Sequence, residues 1–575
     1  MSSASADRQG PGREVAVRDG SRWDRLRLHA VAAAVALLVL APLVRPGYVL
    51  RYDMVFVPRQ PLRWDLLGSG DALPRAVPQD AVVSLLNLAV PGWLLQRIVL
   101  VAAVWLAVVG AGRLVPARRE LTRLVAAVGY AWTPFLAERL LLGQWGLLLA
   151  YATLPWLVRA AIGLREGRRG ALPRLIVAAA AAAITPTGGL LALITVSALV
   201  VGGRAPGRRL AAVAVGAVSA LNLPWLVAAA VTAAGGRSDP TGVAAFAARG
   251  ENWGGPLVAL LGTGGIWNAL TTPASRGAVL VPVVTVGLLA LAAVGFPVLR
   301  DRWPAGAANR LGLLAVGSFL AAAAGALPGG RGFLRWLVAE VPGGGLFRDG
   351  QKLLIPYVLC LVLCAAIGGE RVAARLRRPG DRVALVGLVL LPVAVLPDLA
   401  YGAAGRLEPV RYPREWAAVA EAVARDPGPT LSLPMSMYRS YAWNRGTVVI
   451  DPMPRYLPAE VITDDTLVVG DLVVAGEGRR VADLRAALAQ RRPLASTDLR
   501  WVVVQHPSGG SVSPQVLAGL EIVHQGPLLT LYRNPAAPAA DERRPDGWLL
   551  ILGGCAALAV LLAAIWSLSL RPTAW

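Results

Sequence analysis

The sequence predicts a polytopic α-helical membrane protein, with about twelve transmembrane helices and a C-terminal α/β domain outside the bilayer. Three observations predict this. The 575 residues are 55% hydrophobic with a mean hydropathy of +0.55, far above ordinary soluble composition. Apolar runs close to the ~20 residues that cross a bilayer recur along the chain. Before the last of them, residues 401–546 change character: acids and bases balance there, unlike the strongly basic remainder.

The net charge of +22 would suit a nucleic-acid partner if it formed one patch. It does not. Arginines cluster at 8–27, 113–123, 159–174, 204–209, 300–310 and 371–382, each in a short connection, and the alternate connections are nearly neutral. That is the positive-inside pattern. The charge therefore reports orientation: no nucleic acid, both termini in the cytoplasm, and 401–546 extracytoplasmic, in a cytoplasmic (inner) membrane. The basic segment 1–27 shows no convincing cleavage site after it, so the first helix is expected to stay as an anchor.

Taken in order, the spans read Leu28–Val44, Leu94–Val115, Leu121–Ala137 and Trp145–Leu164. A short surface helix is expected between Pro78 and Pro91. Leu175–Val201 is long, has basic flanks and contains Thr185-Pro-Thr-Gly-Gly189, so it divides into a hairpin of two short helices. Further spans follow at Leu210–Ala233, Val279–Val298, Leu311–Ala326, Leu353–Ile367 and Val383–Leu396, and a last one at Trp548–Ser567. Within 401–546, Val-rich runs bounded by Gly, Pro and Asp predict strands at Thr430–Leu433, Thr447–Ile450, Leu467–Val474, Trp501–Gln505 and Leu528–Tyr532. Helical patterns fall at Arg414–Arg425 and Arg479–Gln490.

P-loop, HExxH, paired CxxC and Gly-x-Ser-x-Gly motifs are missing. Cys360 and Cys364 sit four apart on one helix face, a packing pattern, and the three histidines are scattered, so neither a cofactor nor a metal site is indicated. What remains is polar residues at the external ends of spans. Residues 47–80 connect the first two spans and are several times longer than the roughly 2–8 residues usual between membrane helices. They carry Asp53, Asp65, Asp71 and Asp80 among arginines, with Arg51-Tyr52-Asp53 just past the first span. A second cluster is Glu138-Arg139 with Gln144-Trp145; a third is Arg348-Asp349 with Lys352, the only lysine in the chain. Charges at membrane depth are costly and mark substrate paths or internal pairs. In the α/β domain, Met437–Arg445 reads equally as a ligand platform or as a loop against the membrane domain.

A first external loop with an acid just beyond the first helix, about a dozen spans and an extracytoplasmic α/β domain together resemble the GT-C class of integral-membrane glycosyltransferases. The likeness is nearest to actinobacterial arabinofuranosyl- and mannosyltransferases of the cell envelope. That resemblance implies transfer of a sugar from a polyprenyl-phosphate donor to a glycan or lipid acceptor outside the membrane. It implies Asp53 as general base, and Arg348, Lys352, Arg139 and Arg51 around the donor phosphate. Tyr52, Gln144, Trp145, Glu138 and Asp349 would contact sugar or acceptor. The paired acidic signature of many GT-C members is absent: Asp53 stands alone. Two other classes stay open, an envelope lipid or polysaccharide transporter or flippase, and a catalytically inactive scaffold. A transporter would favour paired broken helices at mid-depth, and only Thr185–Gly189 is of that kind.

Overall fold

The computed structural model describes residues 22–68, 75–202, 207–232, 236–506, 512–537 and 547–570. Asp71, residues 1–21 of the basic N-terminal segment and the tail 571–575 lie outside the described residues. The chain begins with α1 (Arg22–Leu40), and α2 (Gln79–Leu86) occupies the expected surface-helix position. Then come α3 (Gly92–Leu114), α4 (Glu120–Ala131), α5 (Pro134–Leu141) and α6 (Trp145–Arg165). The expected third span is thus two helices. Thr133 caps α5 by accepting from Leu136 N at 3.2 Å, and Pro134 lacks the N–H that would continue α4.

The same Thr-Pro device makes the expected hairpin. After α7 (Ala171–Ala182), Thr185 accepts from Gly188 N and Pro186 opens α8 (Pro186–Val200). The chain continues through α9 (Arg208–Val231), a segment with short helices α10 (Thr241–Ala245) and α11 (Gly255–Leu261), then α12 (Leu280–Arg302) and α13 (Ala307–Ala324). An unanticipated amphipathic helix, α14 (Pro328–Glu340), follows, exposing Phe333 and Trp336 while burying Leu334 and Val338. Two further membrane helices precede the α/β domain, α15 (Ile355–Ala373) and α16 (Gly380–Val395).

Among the described residues, eight helices are long and apolar enough to cross a membrane, or nine if a pair bent by 68° after Val395 counts as one span. The protein is a multi-pass membrane protein. The sequence count of about twelve is not reproduced, because total apolar length counts segments that Thr-Pro breaks divide into helices of 8 to 15 residues.

In the α/β domain, α17 (Arg414–Arg425) precedes β1 (Thr430–Leu433), β2 (Tyr438–Ser440), β3 (Val448–Ile450) and β4 (Val461–Ile462). Then come β5 (Leu467–Val469), β6 (Leu472–Val474), α18 (Arg479–Ala489), β7 (Trp501–Gln505), β8 (Glu521–Gln525) and β9 (Leu529–Arg533). The five-stranded sheet has the order β4-β1-β7-β9-β8: β1 lies parallel to β4 and β7, and β9 antiparallel to β7 and β8. The Leu467–Val474 run, expected as one strand, is a hairpin because Gly470, at φ 58°, turns the chain. The last helix, α19 (Gly547–Ser569), returns to the membrane domain against α9 and α7.

The 47–80 loop is the seam between the two parts. Toward the membrane helices, Val49 exchanges both backbone bonds with the buried Gln96 amide, and Asp53 N donates to Leu142 O at 3.1 Å. Toward the α/β domain, Tyr52 N donates to Val448 O at 2.7 Å, Ile450 N donates to Tyr52 O at 2.9 Å, and Arg455 clasps both oxygens of Asp80. One continuous apolar core therefore runs from the membrane helices through Val49–Val57 into Trp416 and Tyr441.

Candidate functional site

Where loop, membrane helices and α/β domain meet, they enclose a cavity of about 370 Å³. Asp53, Gln144, Trp145, Arg348, Asp349 and Lys352 all line it, so three segments far apart in sequence contribute to one space.

Asp53 is presented by a strained turn. Tyr52 has φ 44°, a left-handed conformation that costs a non-glycine residue about 1–2 kcal/mol, and it is pinned from both sides by the hydrogen bonds to β3. Gly143, at φ 80°, lets this turn approach: a Cβ there would lie 2.3 Å from Met54 N and 2.4 Å from Arg51 O. Gln144 Nε2 donates to Asp53 Oδ2 at 3.0 Å, and the Tyr438 hydroxyl donates to Oδ1 at 2.6 Å. An ionised carboxylate has roughly four lone-pair positions, so each oxygen keeps capacity for a ligand proton. Burial, and then the Asp53 charge, push the Tyr438 phenol well above its ordinary value, so it stays a donor.

The cations line the same cavity. Arg348 is held over the Phe246 ring at 5.0 Å, near Glu477 and Arg75; burial, then Arg75, lower its guanidinium to about 10, and it is charged at neutral pH. Its Nη1 is buried and has no hydrogen-bond partner. Lys352 Nζ lies 3.5 Å from Asp349 Oδ2. Burial alone would raise the Asp349 carboxyl, but Arg139 and Lys352 outweigh it and hold it below the usual carboxylate range. The buried indole N–H of Trp267 also has no partner on the cavity wall.

Four expected residues are placed elsewhere. Arg139 is 0% exposed and gives four of its five N–H donors to Gln351, Gln144 and both oxygens of Asp349. Glu138, also 0% exposed, turns away from the cavity. Arg51 donates to the carbonyls of Leu141 and Leu270 and lies over the Tyr52 ring. Tyr52 is buried against Leu142 and Ile266. None of the four lines the cavity.

Arg75 of the 47–80 loop also lines the cavity, as do Trp267, Trp225 and Arg455, which the sequence had not singled out. The Met437–Arg445 segment combines both of its readings: Met437 and Tyr438 face the cavity, while Arg439 is buried on Asp451 and Tyr441 stacks on Trp443. Among the described residues no three His, Cys, Asp or Glu side chains gather in a metal-binding group.

No family model and no curated protein matches this sequence. Solved structures do. The cryo-EM structure of arabinofuranosyltransferase AftD from Mycobacteria superposes with a TM-score of 0.57 at 19% identity, over 90% of this chain. The fold is GT-C-like. The R1389S mutant of AftD gives a TM-score of 0.56 at 17% identity. This chain covers 40% and 42% of those two chains, about two-fifths of AftD's length. At such identity the likeness is one of fold.

Proposed function

We propose that this GT-C-like protein transfers a sugar from a polyprenyl-phosphate donor to a cell-envelope glycan or lipid acceptor, at the outer face of the cytoplasmic membrane. The observation that carries the reading is that Asp53, Arg348 and Lys352 line one cavity between membrane helices and α/β domain. AftD, a protein of similar fold, is named an arabinofuranosyltransferase, which favours a pentofuranose among donor sugars.

The chemistry is a single displacement. The acceptor hydroxyl oxygen bonds to the anomeric carbon as the bond from that carbon to the phosphate oxygen breaks, its electron pair leaving with the phosphate. Asp53 takes the hydroxyl proton. Arg348 and Lys352, joined by Arg75, stabilise the charge that grows on the phosphate. Gln144, Trp145 and Trp267 bind the sugar by hydrogen bonding and ring contact. Asp349 keeps Lys352 in place. The reading needs no cofactor or metal.

The test is sugar transfer in proteoliposomes supplied with polyprenyl-phosphate-linked pentose or hexose. Asp53→Asn lowers transfer about 10²–10⁴-fold, the usual contribution of a general base, with fold and donor binding retained. Undiminished transfer by the Asn variant would dismiss Asp53 as the base.

A further inference from the structure

Behind the cavity wall, two buried acids meet. Glu138 Oε2 accepts from Gln351 Nε2 at 2.9 Å and from Ile266 N at 3.3 Å, but no donor reaches its buried Oε1. That oxygen faces Glu251, whose side chain is 0% exposed. Glu251 Oε2 accepts from Arg276 Nε at 2.8 Å and Oε1 from Gly265 N. The two carboxyls close over Gly264, where a Cβ would stand 2.5 and 2.7 Å from the Glu251 oxygens and 2.7 Å from Glu138 Oε1.

Two carboxylates packed this closely, away from water, cannot both be ionised. The charged groups around the pair are Arg276, already committed to Glu251, and Arg139, turned to Asp349. A proton on Glu138 Oε1 removes the conflict: it donates to Glu251 and gives the orphaned atom its partner. Burial, and then the facing Glu251, push the Glu138 carboxyl well above the usual carboxylate range.

The pair is wired to the cavity. Arginine can only donate, so Gln351 must turn Oε1 toward Arg139 Nε, 2.7 Å away, and its Nε2 toward Glu138. Arg139 Nη1 likewise takes Gln144 Oε1 at 2.7 Å, which aims Gln144 Nε2 at Asp53. From Glu138 to Asp53 each linking donor and acceptor is thereby fixed.

We propose that Glu138 and Glu251 share a single proton, and that this pair positions Asp53 by setting the orientation of Gln351, Arg139 and Gln144. The positioning half rests on the proposed role of Asp53; the shared proton does not.

Infrared difference spectroscopy of the full-length protein in nanodiscs tests the proton directly. At neutral pH the wild type shows the carbonyl stretch of a buried protonated carboxyl, which Glu138→Gln removes and Asp53→Asn leaves. Absence of that band, or its persistence in Glu138→Gln, overturns the shared proton. Thermal unfolding gives a second readout. A carboxyl whose folded pKa is raised contributes stability below its unfolded value, and that stability is lost as pH rises toward the folded value. Glu138→Gln should therefore gain melting temperature over wild type between pH 5 and pH 8, and a constant difference contradicts the proposal. For positioning, Glu138→Leu loses transfer about 100-fold, the scale of a misplacement near 1 Å, and Glu138→Gln restores most of it. Full transfer by Glu138→Leu refutes the positioning. An infrared band that behaves as described while Asp53→Asn transfers normally would remove the role of Asp53 and keep the shared proton.

Discussion

Gly143→Ala perturbs the candidate base without removing a polar side chain. The added methyl carbon would lie 2.3 Å from Met54 N and 2.4 Å from Arg51 O. Ordinary contact for a Cβ begins near 3.4 Å, so the Arg51–Met54 turn must retreat by about 1 Å, carrying Asp53 between them. A 1 Å error at reacting groups lowers rate about 10²-fold. The left-handed φ of 80° adds about 1–2 kcal/mol of backbone strain. Gly167→Ala separates the two effects: its φ is 68°, but nothing lies within 4 Å of the new carbon. Both variants are to be assayed for sugar transfer and for thermal unfolding in the same nanodiscs. Gly167→Ala should lose stability and keep transfer, whereas Gly143→Ala should lose both, transfer by about 100-fold. Gly143→Ala transferring within threefold of wild type would show that the chemistry does not depend on this turn.

Arg348→Ala and Lys352→Ala should each lower the rate of transfer by about 10²–10³-fold, as loss of one preorganised donor to a developing anion does; Arg348→Lys, which keeps the charge but not the planar fork, should recover only part. Asp349 gives a pH signature. Its folded pKa is depressed, so its contribution to stability is present above the unfolded value and lost as pH falls through the folded one. Asp349→Asn, which leaves Arg139 buried without its counter-charge, should cost about 3–5 kcal/mol at pH 7, and thermal unfolding should show the gap from wild type closing only below about pH 4. Asp80→Ala should loosen the seam by breaking its bidentate contact with Arg455. Limited proteolysis should then cut the 47–80 loop faster, with the membrane helices intact.

Much of the fold was legible because its signals are local. The Thr185-Pro186 break, the strands Thr430–Leu433 and Trp501–Gln505, and the helix Arg414–Arg425 fall at the expected residues. The Gly470-Asp471 pair inside an apolar run was a turn signal that a continuous-strand reading passed over. The number of spans was less accessible, because hydropathy sums apolar length without regard to where the backbone can continue its hydrogen bonds.

The site divides along a different line. Arg139 and Arg348 look alike in sequence: each sits beside a carboxylate near a helix end. What separates them is the rest of the local segment. In α5 every residue other than Glu138 and Arg139 is apolar, and from Phe135 to Leu141 all are buried, so a charge on this helix has no wet face to occupy and must find an internal partner. Arg348 lies instead in a Gly-rich connection between helices, where Gly343 and Gly345 also line the cavity. Small residues there leave the guanidinium room beside an open space, and its Nη1 is left without a hydrogen-bond partner. The distinction between a charge that supports a site and one that serves it was therefore present in the composition around each arginine. Tyr438 lies in the singled-out Met437–Arg445 stretch, but nothing local to it points to Asp53. It reaches Asp53 only because Tyr52 is hydrogen-bonded to β3, the antiparallel partner of β2, and that pairing joins residues almost four hundred apart.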